Sequence, residues 1–276
     1  MKQLNHSPLG LRLATRLLGL PLLAVATLAC LSLPGYGQPI YTTAFEPADY
    51  VEDAPLVGQD GWVAPPPLSP LAAVVTADHP RQGRQTVHVL GADLVPQDFI
   101  SAVTDGYYAA IGSYRRAVTY DTGNEQKVRI SAHVRVDGPR TASGNNFFSA
   151  ALSTRAATLL AGAPSTASVG ELAISSDGHA YAYSGNEDVP TFLASAPVRL
   201  GAWHQLAIVA DFASQTSSFY VDDVLLGTFP FEPSEEFTGV LLRGSLLAYA
   251  APDTASTHKA DYAAHFDKFA IQATGK

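Results

Sequence analysis

Two sets of side chains have the types and spacing to hold a sugar. Arg129, His133 and Arg135 fall on one face of the segment Lys127 to Val136, because successive side chains of a strand point to opposite faces. A guanidinium fork on that face can take a carboxylate or sulfate through two parallel hydrogen bonds. His179, Tyr181 and Tyr183 alternate in the same way on a second segment. Their rings offer stacking surface and their polar tips offer hydrogen bonds to hydroxyls. If both sets share one concave sheet, they make an aromatic and cationic surface suited to an acidic glycan. The competing reading is plainer: strand cations deter edge pairing, and tyrosines are good strand formers.

Glycoside cleavage needs two carboxylates across a groove, roughly 5–10 Å apart. Glu52 and Asp53 are adjacent and would face opposite sides. Glu187 and Asp188 sit beside Gly185-Asn186 and Pro190, and Glu232, Glu235 and Glu236 lie around Pro233. These read as solvated loop acids. The chain has no Gly-x-Ser-x-Gly elbow, no His-Glu-x-x-His motif and no phosphate loop. Its histidines are scattered, and no two form a metal-spaced pair on a clear element.

The elements that position these residues are strands. Val128, Ile130, Ala132, Val134 and Val136 alternate with Lys127, Arg129, Ser131, His133 and Arg135, and Asp137-Gly138-Pro139 stops the run. Glu171 to Ser175 and His179 to Ser184 flank Ser176-Asp177-Gly178, which predicts a hairpin. Trp203 to Phe212 is mostly apolar and predicts a central strand. Ser217 to Val221 and Val224 to Phe229 predict another hairpin around Asp222-Asp223, and His265 to Ile271 a last strand. Pro65, Pro66, Pro67 and Pro70 mark a loop or extended edge. Ala156 to Ser168, rich in Ala, Ser and Thr without alternation, is expected to be an exposed loop. No helix-period segment or internal repeat stands out.

The first 37 residues read as a leader. Lys2, Arg12 and Arg16 precede the uncharged apolar run Leu17 to Leu33, and Gly35 and Gly37 fit a small-residue cleavage site. Residues 38–276 are then expected to form a single domain, secreted or periplasmic, with no membrane attachment after cleavage. A retained anchor is the alternative, though Pro21 interrupts the run. Cys30 leaves a lipoprotein signal open, but Thr27 stands where a Leu-like residue is usual. Cys30 is the chain's one cysteine, so cleavage also removes the means for a disulfide. The formal net charge is −8, and loss of the basic leader makes it more negative. That balance argues against a general nucleic-acid or anionic-membrane binder.

Gly201-Ala202-Trp203-His204-Gln205-Leu206-Ala207-Ile208-Val209 resembles the Gly-x-Trp-His strand of concanavalin A-like and laminin G-like domains. Phe219-Tyr220-Val221-Asp222-Asp223-Val224 resembles their Tyr-Val-Asp-Gly hairpin, with Asp223 in place of the usual glycine. Phe45-Glu46 with Gly58-Gln59-Asp60-Gly61-Trp62, and Phe266-Asp267-Lys268-Phe269-Ala270-Ile271, are similar to the opening and closing segments of secreted jelly rolls. The resemblance implies an all-β fold, a two-sheet antiparallel jelly-roll sandwich; a galactose-binding-like jelly roll is the rival. Trp203 and Tyr220 are expected to fill the core between the sheets. The resemblance also implies a structural calcium ion where the first and last strands meet, at Glu46 and Asp267, with Asp60 nearby. Glucanases of this fold carry Glu-x-Asp-x-(x)-Glu on one strand, and alginate-lyase-like relatives a Gln-x-His strand. Neither is present, since Gln85-Thr86-Val87-His88 has the wrong spacing.

The expectation is a non-catalytic carbohydrate-binding or adhesive module whose partner is a carbohydrate or a cell-surface or matrix component. The alternative is a structural or protein-interaction domain without a glycan ligand, and the third reading is a polysaccharide-active enzyme.

Overall fold

In the computed structural model, fifteen strands account for the regular structure of the described residues: β1 (Gln38–Thr43), β2 (Trp62–Val63), β3 (Ala73–Thr76), β4 (Thr86–Leu90), β5 (Tyr107–Ala117), β6 (Lys127–Asp137), β7 (Phe147–Leu160), β8 (Ala163–Ser175), β9 (His179–Asn186), β10 (Thr191–Pro197), β11 (His204–Asp211), β12 (Thr216–Val221), β13 (Val224–Pro230), β14 (Glu236–Tyr249) and β15 (Ala263–Thr274). The structure describes residues 38–63, 73–90, 107–117, 127–138, 147–160, 163–186, 191–231, 236–249 and 263–274. The leader, most of the proline-rich stretch, and the acids Glu187, Asp188, Glu232 and Glu235 lie outside them.

The strands form two antiparallel sheets. Sheet A has eight strands in the order β13-β12-β11-β6-β15-β4-β3, with β1 also on β15. Sheet B has seven, in the order β10-β9-β8-β7-β14-β5-β2. β4 and β1 share one edge of β15, β4 along Ala263–Phe266 and β1 along Phe269–Ala273. Between those stretches the register of β15 against β6 shifts, between Asp267 and Ala270.

Alternation decides what each sheet buries. Val128, Ile130, Ala132, Val134 and Val136 of β6 are all buried, as are Leu206, Ile208 and Ala210 of β11 and Phe266, Phe269 and Ile271 of β15. Leu172 and Ile174 of β8 and Ala180 and Ala182 of β9 join the same core from sheet B. The sheets approach closely at Gly170, where a Cβ would lie 2.7 Å from the Phe219 ring. Glycine thus makes room for a fully buried aromatic side chain, worth about 1.5–3 kcal/mol.

The hairpins lie where the turn residues place them. β8 and β9 pair around Ser176-Asp177-Gly178, and Gly178 takes the left-handed conformation with φ 84°. β12 and β13 pair around Asp222-Asp223, both with positive φ, 50° and 63°. The missing glycine therefore leaves the hairpin intact. The Asp222 carboxylate offsets some of the strain: it accepts from Gln205 N at 2.8 Å and contacts His204 Nδ1 at 2.7 Å. This ties the Trp-His segment to the turn.

Two expectations need correction. Ala156 to Ser168 is not an exposed loop, because most of it lies in β7 and β8, paired in register from Ala156↔Ala167 to Leu160↔Ala163. Ladder pairing defines these strands, and no apolar alternation in the sequence announces them. Trp203 and Tyr220 do not fill the core. His204 pairs with Val134 and Ala207 with both Ser131 and Tyr220, which turns Trp203 and Tyr220 to the outer face of sheet A. Among the described residues, the fully buried aromatics are instead Trp62, Phe45, Phe219, Phe266 and Phe269.

Candidate functional site

The outer face of sheet B carries an aromatic strip. His179, Tyr181 and Tyr183 alternate along β9, opposite to buried Ala180 and Ala182. Successive ring centroids are 5.9 and 6.1 Å apart. β10 runs alongside, with Phe192 paired to Tyr183. The Phe192 ring stands edge-on to Tyr181 and Tyr183, at 6.1 and 6.3 Å. It is 56% exposed, so its ring extends the strip as an open apolar surface. Phe192 was not among the sequence candidates, because β10 is short, flanked by Pro190 and bulged between Phe192 and Ala194.

Acids border this strip. Asp177 Oδ1 accepts from His179 N at 3.0 Å, and its Oδ2 accepts from the Tyr181 hydroxyl. The Tyr181 pKa is raised, first by burial and then by Asp177. Burial also raises the pKa of Tyr183, and the charges of Glu171 and Asp177 add to it. Both phenols therefore stay neutral and keep their O–H groups at physiological pH.

Arg129, His133 and Arg135 lie on the other sheet, on the outer face of sheet A. The two predicted sets do not form one surface, because β6 and β9 belong to opposite sides of the sandwich. The cations are also engaged already. Arg129 pairs with Asp223 at 3.1 Å and lies over the Tyr220 ring at 5.8 Å. Arg135 Nε is 2.9 Å from both oxygens of Asp137. His133 is only 8% exposed. Its pKa falls to about 4, through burial and then the charges of Arg81 and Lys268.

Strand pairing gathers a histidine cluster on this face that the sequence alone does not show. Register places Val74, His88, His265 and Arg135 in one row across β3, β4, β15 and β6. The His88 and His265 rings stack at 4.5 Å and 13°, and His79 meets His265 edge-on at 5.1 Å. Trp203 closes the row, 6.4 Å from His265. Burial lowers the pKa of both stacked histidines, that of His265 to about 3.

Glu46 and Asp267 clasp a loop. Glu46 accepts from Arg84 N at 3.0 and 3.2 Å. Asp267 is fully buried and accepts from Arg81 N and Gln82 N, both at 3.2 Å, and from Lys268 N at 2.6 Å. Burial raises the Asp267 pKa, and these bonds oppose the rise. Calcium takes about six to eight oxygen ligands, whereas backbone N–H donors face these carboxylates, so the set does not fit that ion. Asp60 is engaged elsewhere, accepting from Tyr41 and Tyr50 and lying 3.5 Å from Arg116.

The clasp makes a prediction. A Cβ on Gly83 would fall 1.8 Å from Glu46 Oε1, at a φ of +83°. Gly83→Ala is expected to destabilise the fold by about 1–3 kcal/mol, read as a lower urea midpoint. An unchanged midpoint would show that the clasp contributes nothing.

Comparison with solved structures matches this two-sheet arrangement. The endo-1,3-β-glucanase of Streptomyces sioyaensis superposes with a TM-score of 0.58 at 10% identity, over 89% of this chain and 99% of that one. The fold is that of the concanavalin A-like jelly rolls. The CBM2 module of the evolved Dit protein of Lactobacillus casei BL23 phage J-1 is similar at a TM-score of 0.49 and 9% identity, over 88% of this chain and 99% of that one. The carbohydrate recognition domain of Emp47p gives 0.47 and 8%, over 87% and 98%. Of these three likenesses, the first carries the fold assignment. No protein-family profile matches the chain, and no curated protein matches it either. A jelly roll at this identity fixes the architecture and leaves function to the site.

Proposed function

We propose that this jelly roll is a secreted carbohydrate-binding module that takes a neutral glycan on the outer face of sheet B. The supporting observation is the contiguous strip of His179, Tyr181, Tyr183 and exposed Phe192. Sugar C–H faces stack on aromatic rings, and the Tyr181 oxygen, whose proton goes to Asp177, can still accept from a sugar hydroxyl. The acids Glu171 and Asp177 and the chain's formal net charge of −8 disfavour an acidic ligand. Arg129 and Arg135, the groups best suited to an acidic glycan, are satisfied within the protein. The proposal includes no catalytic step, and the glucanase's activity is not carried across at 10% identity.

A glycan array of neutral and acidic polysaccharides tests this. Binding is expected on neutral glycans, weakened about 10- to 30-fold by Tyr181→Ala, as for loss of an aromatic anchor. A blank array from folded protein would favour a protein-interaction domain. One feature supports that second reading: Val224 and Leu225 are 70% and 53% exposed on β13, an edge strand of sheet A.

A further inference from the structure

His79, Asp137 and His265 come from three separate places: the β3–β4 loop, the end of β6 and the start of β15. One donor atom from each lies within 4.8 Å of the others. His265 Nε2 is 3.4 Å from Asp137 Oδ2. Arg135 holds the Asp137 carboxylate in place, and the His88 and Trp203 rings hold His265. His79 has a positive φ of 52° and precedes Pro80, so its ring is presented from a constrained backbone.

The cluster also holds polar atoms without partners. His265 is 2% exposed, and its Nδ1 makes no hydrogen bond. His88 Nε2, on the ring stacked against it, makes none either. His265 Nδ1 lies across the ring from Nε2, the nitrogen 3.4 Å from Asp137 Oδ2, so it is left for a water or a further partner while Nε2 faces the carboxylate.

We infer that His79, Asp137 and His265 form a binding site for a divalent transition cation of the zinc class. Two imidazole nitrogens and one carboxylate suit such a borderline ion better than calcium, which relies on a fuller oxygen shell. Arg135 Nε takes one lone pair of each Asp137 oxygen and leaves the other for the ion. Three protein ligands leave a position open in a tetrahedral shell. Because His79 is exposed, that position faces solvent and can take water or a ligand oxygen. The bound ion joins the β3–β4 loop to β6 and β15.

The test is titration of the protein, purified without a histidine tag, with Zn2+ against a chromophoric chelator. One equivalent is expected to bind, and His79→Ala and Asp137→Asn each to weaken it by at least about tenfold. Thermal unfolding should shift upward with Zn2+ in the parent and not in His79→Ala. His79 is exposed and outside the core, so its variant folds and decides the matter even if Asp137→Asn does not. Absence of binding at micromolar Zn2+, binding unchanged in His79→Ala, or an equal thermal shift from Ca2+ alone would each overturn the assignment.

Discussion

Acidifying the metal-free protein from pH 7 to pH 4 is expected to remove on the order of 5 kcal/mol of folding stability. His133 and His265 fall from 6.5 to about 4 and about 3 in the fold, with burial as the leading cause for each. Arg81 and Lys268 press further on His133, while Asp222 and Asp223 oppose them. Around His265, His88, His79 and Arg135 lower the value and Asp137 raises it. Between the folded and unfolded values, the unfolded chain binds more protons than the native one. Stability therefore rises with pH through that window, and the loss begins as pH falls below 6.5. The raised pKa of Asp267 works the other way, since the folded state gains protons there first, and offsets part of the loss. Urea unfolding in chelator at pH 6.5, 5.5 and 4.5 is the measurement. His133→Gln should flatten the dependence, and a parent profile already flat over that range would refute the assignment of neutral buried histidines.

Trp62→Ala is expected to cost about 3–5 kcal/mol and lower Tm by roughly 6–20 °C. Trp62 is fully buried, with ring contacts to Phe45 at 6.2 Å and Phe269 at 5.6 Å. Its Nε1 donates to the Tyr50 hydroxyl at 3.1 Å, and Tyr50 donates to Asp60 at 3.0 Å. The substitution thus leaves a cavity and removes one bond of a polar chain. Trp62→Phe separates the two effects: it should recover most of the packing and lose only the indole bond, about 1 kcal/mol. Thermal melts of both variants read this directly. A Trp62→Ala protein as stable as the parent would place the weight of the core elsewhere.

Much of the architecture was legible in the sequence for a simple reason. Alternation in Lys127 to Val136 separates a core face from an outer face, and Asp-Gly and Asp-Asp between strand segments mark hairpins. Alternation does not say which sheet a strand joins. Arg129 and Tyr181 were readable as outward-facing, yet nothing local showed that β6 and β9 lie on opposite sides of the sandwich. Trp203 and Tyr220 were misplaced for the same reason, since register against β6 decides their face. The cluster of His79, His88 and His265 is a product of lateral pairing between strands far apart in the chain. Phe192 escaped because a single aromatic in a short bulged strand carries no period.

Affinity electrophoresis in gels containing the best-bound polysaccharide, comparing Phe192→Ala with Arg129→Ala, decides which sheet holds the glycan. The two substitutions lie on opposite outer faces of the sandwich. Phe192→Ala is expected to abolish retardation and Arg129→Ala to leave it unchanged. Retardation lost in Arg129→Ala and kept in Phe192→Ala would place the glycan on sheet A and contradict its placement on sheet B.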